Sequence, residues 1–262
     1  MKEFFGFGGY QREAEGYFSW QHLTFVTSLM IIMVLCAVFL GRRNRTLEEN
    51  RKNKVIIVSA ILIDAFEIIK IVIFCLRSGN PMDWVYNLPL FLCSIQLIAI
   101  PLAGFSKGRI KEASLDFVFI FGILSAVFGT YLAGNNYSCY PVLSLDNVVS
   151  GITHSISGFT SLYIVISGMA KSSMKKKNIP ITFGILGAFC IMAYIANIFT
   201  DCNYMFLSRG DGTPYDIVFN LVGGNAVLYP LIVVGLFLVY IALFYQVYFF
   251  ICNKINAKKM EK

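Results

Sequence analysis

Seven apolar stretches stand out along the chain, at roughly 20–40, 55–76, 84–104, 113–133, 148–170, 179–200 and 225–252, with short polar segments between them. A helix needs about 20 consecutive apolar residues to cross the hydrocarbon core of a bilayer. The pattern therefore predicts an all-α, polytopic membrane protein with seven transmembrane helices, folded as one helical bundle over residues 1–262. No period repeats along the chain, so the pseudo-symmetry of an inverted-repeat transporter is not visible.

Composition agrees with that pattern. Of the 262 residues 57% are hydrophobic and only 14% are charged, and the mean hydropathy is +0.67. A soluble domain carries about 25% charged residues, so a soluble enzyme and a disordered chain are both excluded. The first 19 residues contain Glu3, Arg12, Glu13 and Glu15. They lack the basic start and short apolar core of a cleaved signal, and the first span reads as an uncleaved signal anchor.

The net charge of +7 is explained by where the bases fall. Arg42, Arg43, Arg45, Arg51, Lys52 and Lys54 lie in the first connection, and Lys107, Arg109 and Lys111 in the third. Lys171, Lys175, Lys176 and Lys177 lie in the fifth, and Lys254, Lys258, Lys259 and Lys262 in the tail. These alternate connections hold 17 of the 22 bases, against four (Lys2, Arg12, Arg77 and Arg209) on the other side. By the positive-inside rule the N-terminus is outside and the C-terminus cytoplasmic. The bases serve topology, and the chain has no basic patch interleaved with stacking aromatics, so no nucleic-acid partner is expected. The expected location is the cell membrane and the expected partners are membrane lipids. Nothing in the sequence sets an oligomeric state.

Ionisable groups inside spans are costly and mark function by default. Asp64, Glu67 and Lys70 recur every three residues along span two, on one side of a helix. Glu67 and Lys70 can neutralise one another, either as a brace between helices or as part of a substrate site. In span three, Cys93 lies ~14 Å below the outer surface at the helical rise, with Gln96 one turn deeper. His154 lies ~9 Å below the same surface in span five. Asn197 is in the last turn of span six, followed by Asp201, Asn203 and Tyr204, and His22 opens span one at the same face. The pattern predicts a polar cavity opening to the outer half of the membrane.

The chain has no HExxH, Cys-x-x-Cys, calcium loop, GxSxG or phosphate loop, so no metal and no cofactor is expected. Of seven cysteines, Cys36, Cys75, Cys190 and Cys252 read as small core residues. Cys139 and Cys202 fall in outside connections, where a disulfide between them is one reading. Cys93 sits in Asn87-Leu88-Pro89-Leu90-Phe91-Leu92-Cys93-Ser94-Ile95-Gln96, and Pro101 follows in the same span. A proline within a span frees backbone carbonyls, and such breaks usually line a cavity. A thiol there is either a core residue or a nucleophile whose proton passes to a histidine. His154 is the histidine at suitable depth.

These same residues resemble a known family. Leu88-Pro89-Leu90-Phe91-Leu92-Cys93 looks like the LPLHLC signature of YwaF-like bacterial membrane proteins. Ser19-Trp20-Gln21-His22, the single His154, Asn203-Tyr204-Met205-Phe206-Leu207, Pro214 and Tyr229-Pro230 follow in the same order as in that family. The resemblance covers nearly the whole chain. The bacterial family is similar to eukaryotic seven-span acyltransferases that remodel ether phospholipids, and more distantly to transmembrane hydrolases of fatty-acid esters of hydroxy fatty acids. It implies Cys93 as nucleophile and His154 as its partner. Phe91 departs from the pattern, because bacterial relatives usually carry histidine there.

The resulting expectation is a lipid acyltransferase or acyl hydrolase. Cys93 and His154 are its catalytic pair, and Glu67, Lys70, Gln96, Asn197, Asn203 and Tyr204 bind or orient. A small-solute or ion transporter built on Asp64, Glu67 and Lys70, and a non-catalytic membrane sensor, are the rival readings.

Overall fold

A computed structural model of the chain describes residues 2–260. Among the described residues there are helices and turns but no strand. The main helices are α1 (Trp20–Asn44), α2 (Glu49–Ser78), α3 (Gln96–Phe105), α4 (Gly108–Tyr131), α5 (Leu145–Ile166), α6 (Ile179–Phe199) and α7 (Leu228–Met260).

Local chemistry sets several of these boundaries. Ser19 caps α1, its hydroxyl accepting the His22 N–H at 3.2 Å, and Arg42 and Arg43 in the last turn complement the carbonyl end. Gly79 ends α2 in the left-handed conformation (φ 73°), its N–H donating to the Cys75 carbonyl at 3.1 Å. Ser144 caps α5 by accepting the Asn147 N–H at 3.3 Å.

Among the described residues five helices are both long and apolar enough to cross a membrane: Trp20–Asn44, Gly108–Cys139, Leu145–Ile166, Lys176–Phe199 and Leu228–Ala257. The two remaining apolar stretches differ for separate physical reasons. Helix α2 has the length, at 30 residues, but Asp64, Glu67 and Lys70 interrupt its apolar surface. The 84–104 stretch is not one helix. A 3-10 turn spans Pro81–Asn87, residues 88–95 are irregular, and only Gln96–Phe105 is α-helical. Ten residues rise roughly 15 Å, half of a hydrocarbon core. Pro89 lacks an N–H and biases Leu88 away from helix, and Leu88 is extended at φ −60°, ψ 143°.

The chain groups into two compact units, Met1–Ser173 and Met174–Lys262. In the first unit α5 is central, packing on α1, α2 and α4. Small residues allow the close approach of α4 and α5. A Cβ on Gly122 would lie 2.6 Å from the Ser157 carbonyl oxygen and 2.7 Å from Ser161 Cβ. Contact without side chains is how helices pack where no hydrophobic force separates protein from lipid. The short α3 is fastened to α2 by Asn53, whose amide donates to the Gly104 carbonyl at 2.8 Å.

In the second unit α6 packs against α7, with the Thr182 and Tyr245 hydroxyls 3.0 Å apart. The turn after α6 holds Met205 and Phe206 at φ 56°, unusual for residues with side chains.

Candidate functional site

Within the first unit a cavity of about 270 Å³ lies among α2, the broken stretch from residue 86 to 97 and α5. Its walls include Glu67 and Lys70 from α2, Phe91, Cys93 and Ser94 from the broken segment, and Thr153, His154 and Ser157 from α5. The structure thus brings four of the sequence-derived site residues, Glu67, Lys70, Cys93 and His154, onto one cavity. Non-helical backbone at membrane depth is tolerated where it is buried in protein or lines a polar cavity. The segment that Pro89 keeps out of helix does the latter.

The charged wall is a compact pair. Lys70 Nζ lies 2.6 Å from Glu67 Oε1, and the side chains are only 18% and 13% exposed. Spacing of three residues on a helix makes the contact geometrically easy.

Cys93 occupies the turn just ahead of α3. Its carbonyl accepts the Gln96 N–H at 3.4 Å and the Ser125 hydroxyl at 3.4 Å, and its sulfur is 4.0 Å from the Ser94 hydroxyl. Ser125, on α4, is buried, and its Oγ also lies 3.1 Å from His154 Nδ1. One turn further along α4, Gly129 meets the same imidazole. A Cβ there would fall 2.4 Å from Nε2 and 2.5 Å from both Cδ2 and Cε1. Near-equal distances to three ring atoms place Gly129 against the face of the ring, not its edge.

Ser125 and Gly129 were not distinguishable in the sequence from the many small residues of an apolar span. The available signal was their spacing of four, which sets them on one face of α4.

The other histidine is engaged elsewhere. His22 is buried, its Nδ1 accepts the Phe18 N–H at 3.2 Å, and its Nε2 donates to the Thr130 carbonyl at 3.0 Å. Its ring stacks on Tyr137 at 3.8 Å. Gln96 is fully buried and is not part of the cavity wall, and neither amide atom has a hydrogen-bond partner among the described residues.

Asn197, Asn203 and Tyr204 belong to the second unit. The Asn197 amide donates to the Tyr204 carbonyl at 3.1 Å and accepts the Tyr204 N–H at 2.7 Å. Asn203 donates to the Arg209 carbonyl and to Asp211, and accepts the Ser208 N–H. Both amides thereby hold the left-handed turn at Met205 and Phe206. Cys139, in the first unit, and Cys202, in the second, are both free cysteines.

A second polar cluster went unread in the sequence. Arg77, at the end of α2, grips Asp146 in the first turn of α5 with two hydrogen bonds, of 2.8 and 3.0 Å. Tyr10 donates to the same carboxylate at 2.6 Å and lies under the guanidinium. Burial, together with this hydrogen bond, pushes the Tyr10 phenol up to about 12. Glu15 adds a second tie by accepting the Val142 N–H at 2.8 Å. The segment ahead of α1 is thereby fastened to the end of α2 and to the connection that leads into α5.

No curated protein and no solved structure matches the chain. A model of the TMEM164 family matches residues 17–248, which takes in α1 to α6, the greater part of α7 and every cavity residue described above. With its five long apolar helices and this match over most of its length, the chain is a multi-pass membrane protein that belongs to the TMEM164 family.

Proposed function

We propose that this protein is a lipid-directed acyltransferase or acyl hydrolase of the cell membrane, with Cys93 as nucleophile and His154 as general base. The observation that carries the reading is the shared cavity. Cys93 and His154 come from stretches 61 positions apart and line the same polar chamber beside a break in a membrane-depth segment. The resemblance to YwaF-like proteins and to ether-phospholipid acyltransferases points to the same two residues.

The reaction balances without a cofactor. His154 accepts the Cys93 proton, and the sulfur attacks the acyl carbonyl of a lipid ester. The carbon–oxygen bond breaks, the leaving alcohol takes the proton back from His154, and the acyl group remains on Cys93 as a thioester. An acceptor alcohol or water is then deprotonated by His154, attacks the thioester, and restores the thiol. The Glu67–Lys70 pair would meet the polar part of the lipid.

In this reading α2 and the broken 84–104 stretch complete seven crossings, with the N-terminus outside and the C-terminus cytoplasmic. The alternation of bases supports this arrangement.

The test is turnover by purified protein in nanodiscs, with phospholipid profiles of cells as the second readout. Cys93→Ala and His154→Ala should each abolish acyl transfer or hydrolysis at equal protein level. Unchanged turnover and lipid profiles in both variants would overturn the assignment.

A transporter is the second reading, favoured by the Glu67–Lys70 pair facing the cavity. Solute uptake that survives Cys93→Ala and fails in Glu67→Gln would select it.

A further inference from the structure

We propose that Ser125 is a positioning residue that holds His154 as its Nδ1–H tautomer and ties the imidazole to the backbone of Cys93. The argument is a count of protons. A serine hydroxyl has one hydrogen to give and lone pairs to receive. Ser125 Oγ is within reach of two partners, the Cys93 carbonyl oxygen at 3.4 Å and His154 Nδ1 at 3.1 Å. The carbonyl can only accept, so the serine proton goes to it. The remaining bond, to Nδ1, then requires that Nδ1 carry the hydrogen and Ser125 accept. The hydrogen bond made by one ring nitrogen decides the state of the other, which leaves Nε2 with a free lone pair.

The ring's orientation has a separate cause. Gly129 lies against its face, and a Cβ at that position would come within 2.5 Å of three ring atoms. Ser125 therefore fixes the edge of the imidazole and Gly129 its plane, both from one face of α4. The same hydroxyl reaches the residue that carries the thiol, so the chain Cys93 carbonyl, Ser125, His154 spans α3's leading turn, α4 and α5. His22 shows the opposite arrangement, with Nε2 as donor to Thr130 and Nδ1 as acceptor.

The tautomer stands on this geometry alone, while its catalytic meaning rests on the Cys93–His154 reading. The experiment separates the two. The chain holds two histidines, so imidazole nitrogen-15 spectra of the full protein in nanodiscs contain two sets of signals. His154→Gln assigns them. At about pH 8, above the ordinary imidazole range, His154 should show a protonated Nδ1 and a bare Nε2, and His22 the reverse. Ser125→Ala should move His154 towards the Nε2–H form, and Ser125→Thr, which keeps the hydroxyl, should restore it. A wild-type His154 protonated at Nε2, or a spectrum unchanged in Ser125→Ala, would overturn the proposal. Turnover is the second readout. Ser125→Ala should lower kcat by about 10- to 100-fold with KM little changed, and Ser125→Thr should recover most of it. Turnover that survives Cys93→Ala would sink the enzymatic reading and leave the tautomer assignment standing.

Discussion

Gly129→Ala is the sharpest probe of how the cavity holds its histidine. The added Cβ would fall 2.4–2.5 Å from three atoms of the His154 ring. Ordinary carbon contacts are ~3.5–4.0 Å, so the imidazole or the α4 backbone must give by about 1 Å. Overpacking of this kind costs about 1–3 kcal/mol. A 1 Å displacement of a reacting group lowers turnover by about 100-fold.

The three nearest atoms all belong to His154, so removing that ring relieves the closest contacts. In a His154→Ala background the new methyl meets no ring, and alanine is then favoured over glycine within a helix by about 1 kcal/mol. The two substitutions should be coupled by about 1–3 kcal/mol, the overpacking cost alone, because the propensity gain is common to both backgrounds and cancels in the cycle. Thermal melts of wild type, both single variants and the double variant in nanodiscs measure this cycle. Gly184→Ala is the control, since a Cβ there meets nothing within 4 Å. Additive effects of Gly129→Ala and His154→Ala, or a Gly129→Ala protein that melts and turns over like wild type, would refute the contact between this glycine and the imidazole.

Two further expectations concern the segments ahead of α1 and α5. The Tyr10 phenol is held neutral up to about 12 by burial and its bond to Asp146, above the ordinary value of about 10. A raised folded value means stability fully present below about pH 10 and lost as pH rises towards 12. Hydrogen-exchange protection of residues 2–19, taken against the intrinsic rate at each pH, should fall across that window in wild type. Protection should already be lower at neutral pH in Tyr10→Phe, with no further loss between pH 10 and 12, and wild-type protection unaffected at pH 12 would contradict the clasp. Cys139 is an exposed free thiol. On intact cells it should react with a membrane-impermeant maleimide without prior reduction, in a protein whose other cysteines are serine. Labelling only after permeabilisation would reverse the topology, and labelling only after reduction of a Cys139/Cys202 pair would restore the disulfide.

Particular residues show how much was legible in advance. The lengths of α1, α4, α5, α6 and α7 follow from uninterrupted apolar runs, which need no partner to be recognised. Pro89 announced the break in the 84–104 stretch, because a missing N–H is a local property. It could not announce how the chain continues, and the short α3 depends on Asn53 and Gly104 in another contact. Glu67 and Lys70 were readable as a pair from their spacing, and they are one. Asn197 and Asn203 drew attention as polar groups at a membrane face, yet their amides bond to the backbone of their own turn. Ser125 and Gly129 carried no signal, since a hydroxyl and a missing side chain acquire meaning only from what is packed against them.

Sequence alone determined that this chain lives in a bilayer, that its bases fall on alternate connections, and which few polar groups interrupt its apolar runs. Those are one-dimensional matters of transfer free energy and charge, summed residue by residue. Tertiary structure decided the rest. It set Cys93 and His154 around one cavity, placed Ser125 between the carbonyl of one and the imidazole of the other, and seated the ring on Gly129. These relations depend on helix crossings measured in tenths of an ångström between residues tens of positions apart, and no local property of the chain encodes them.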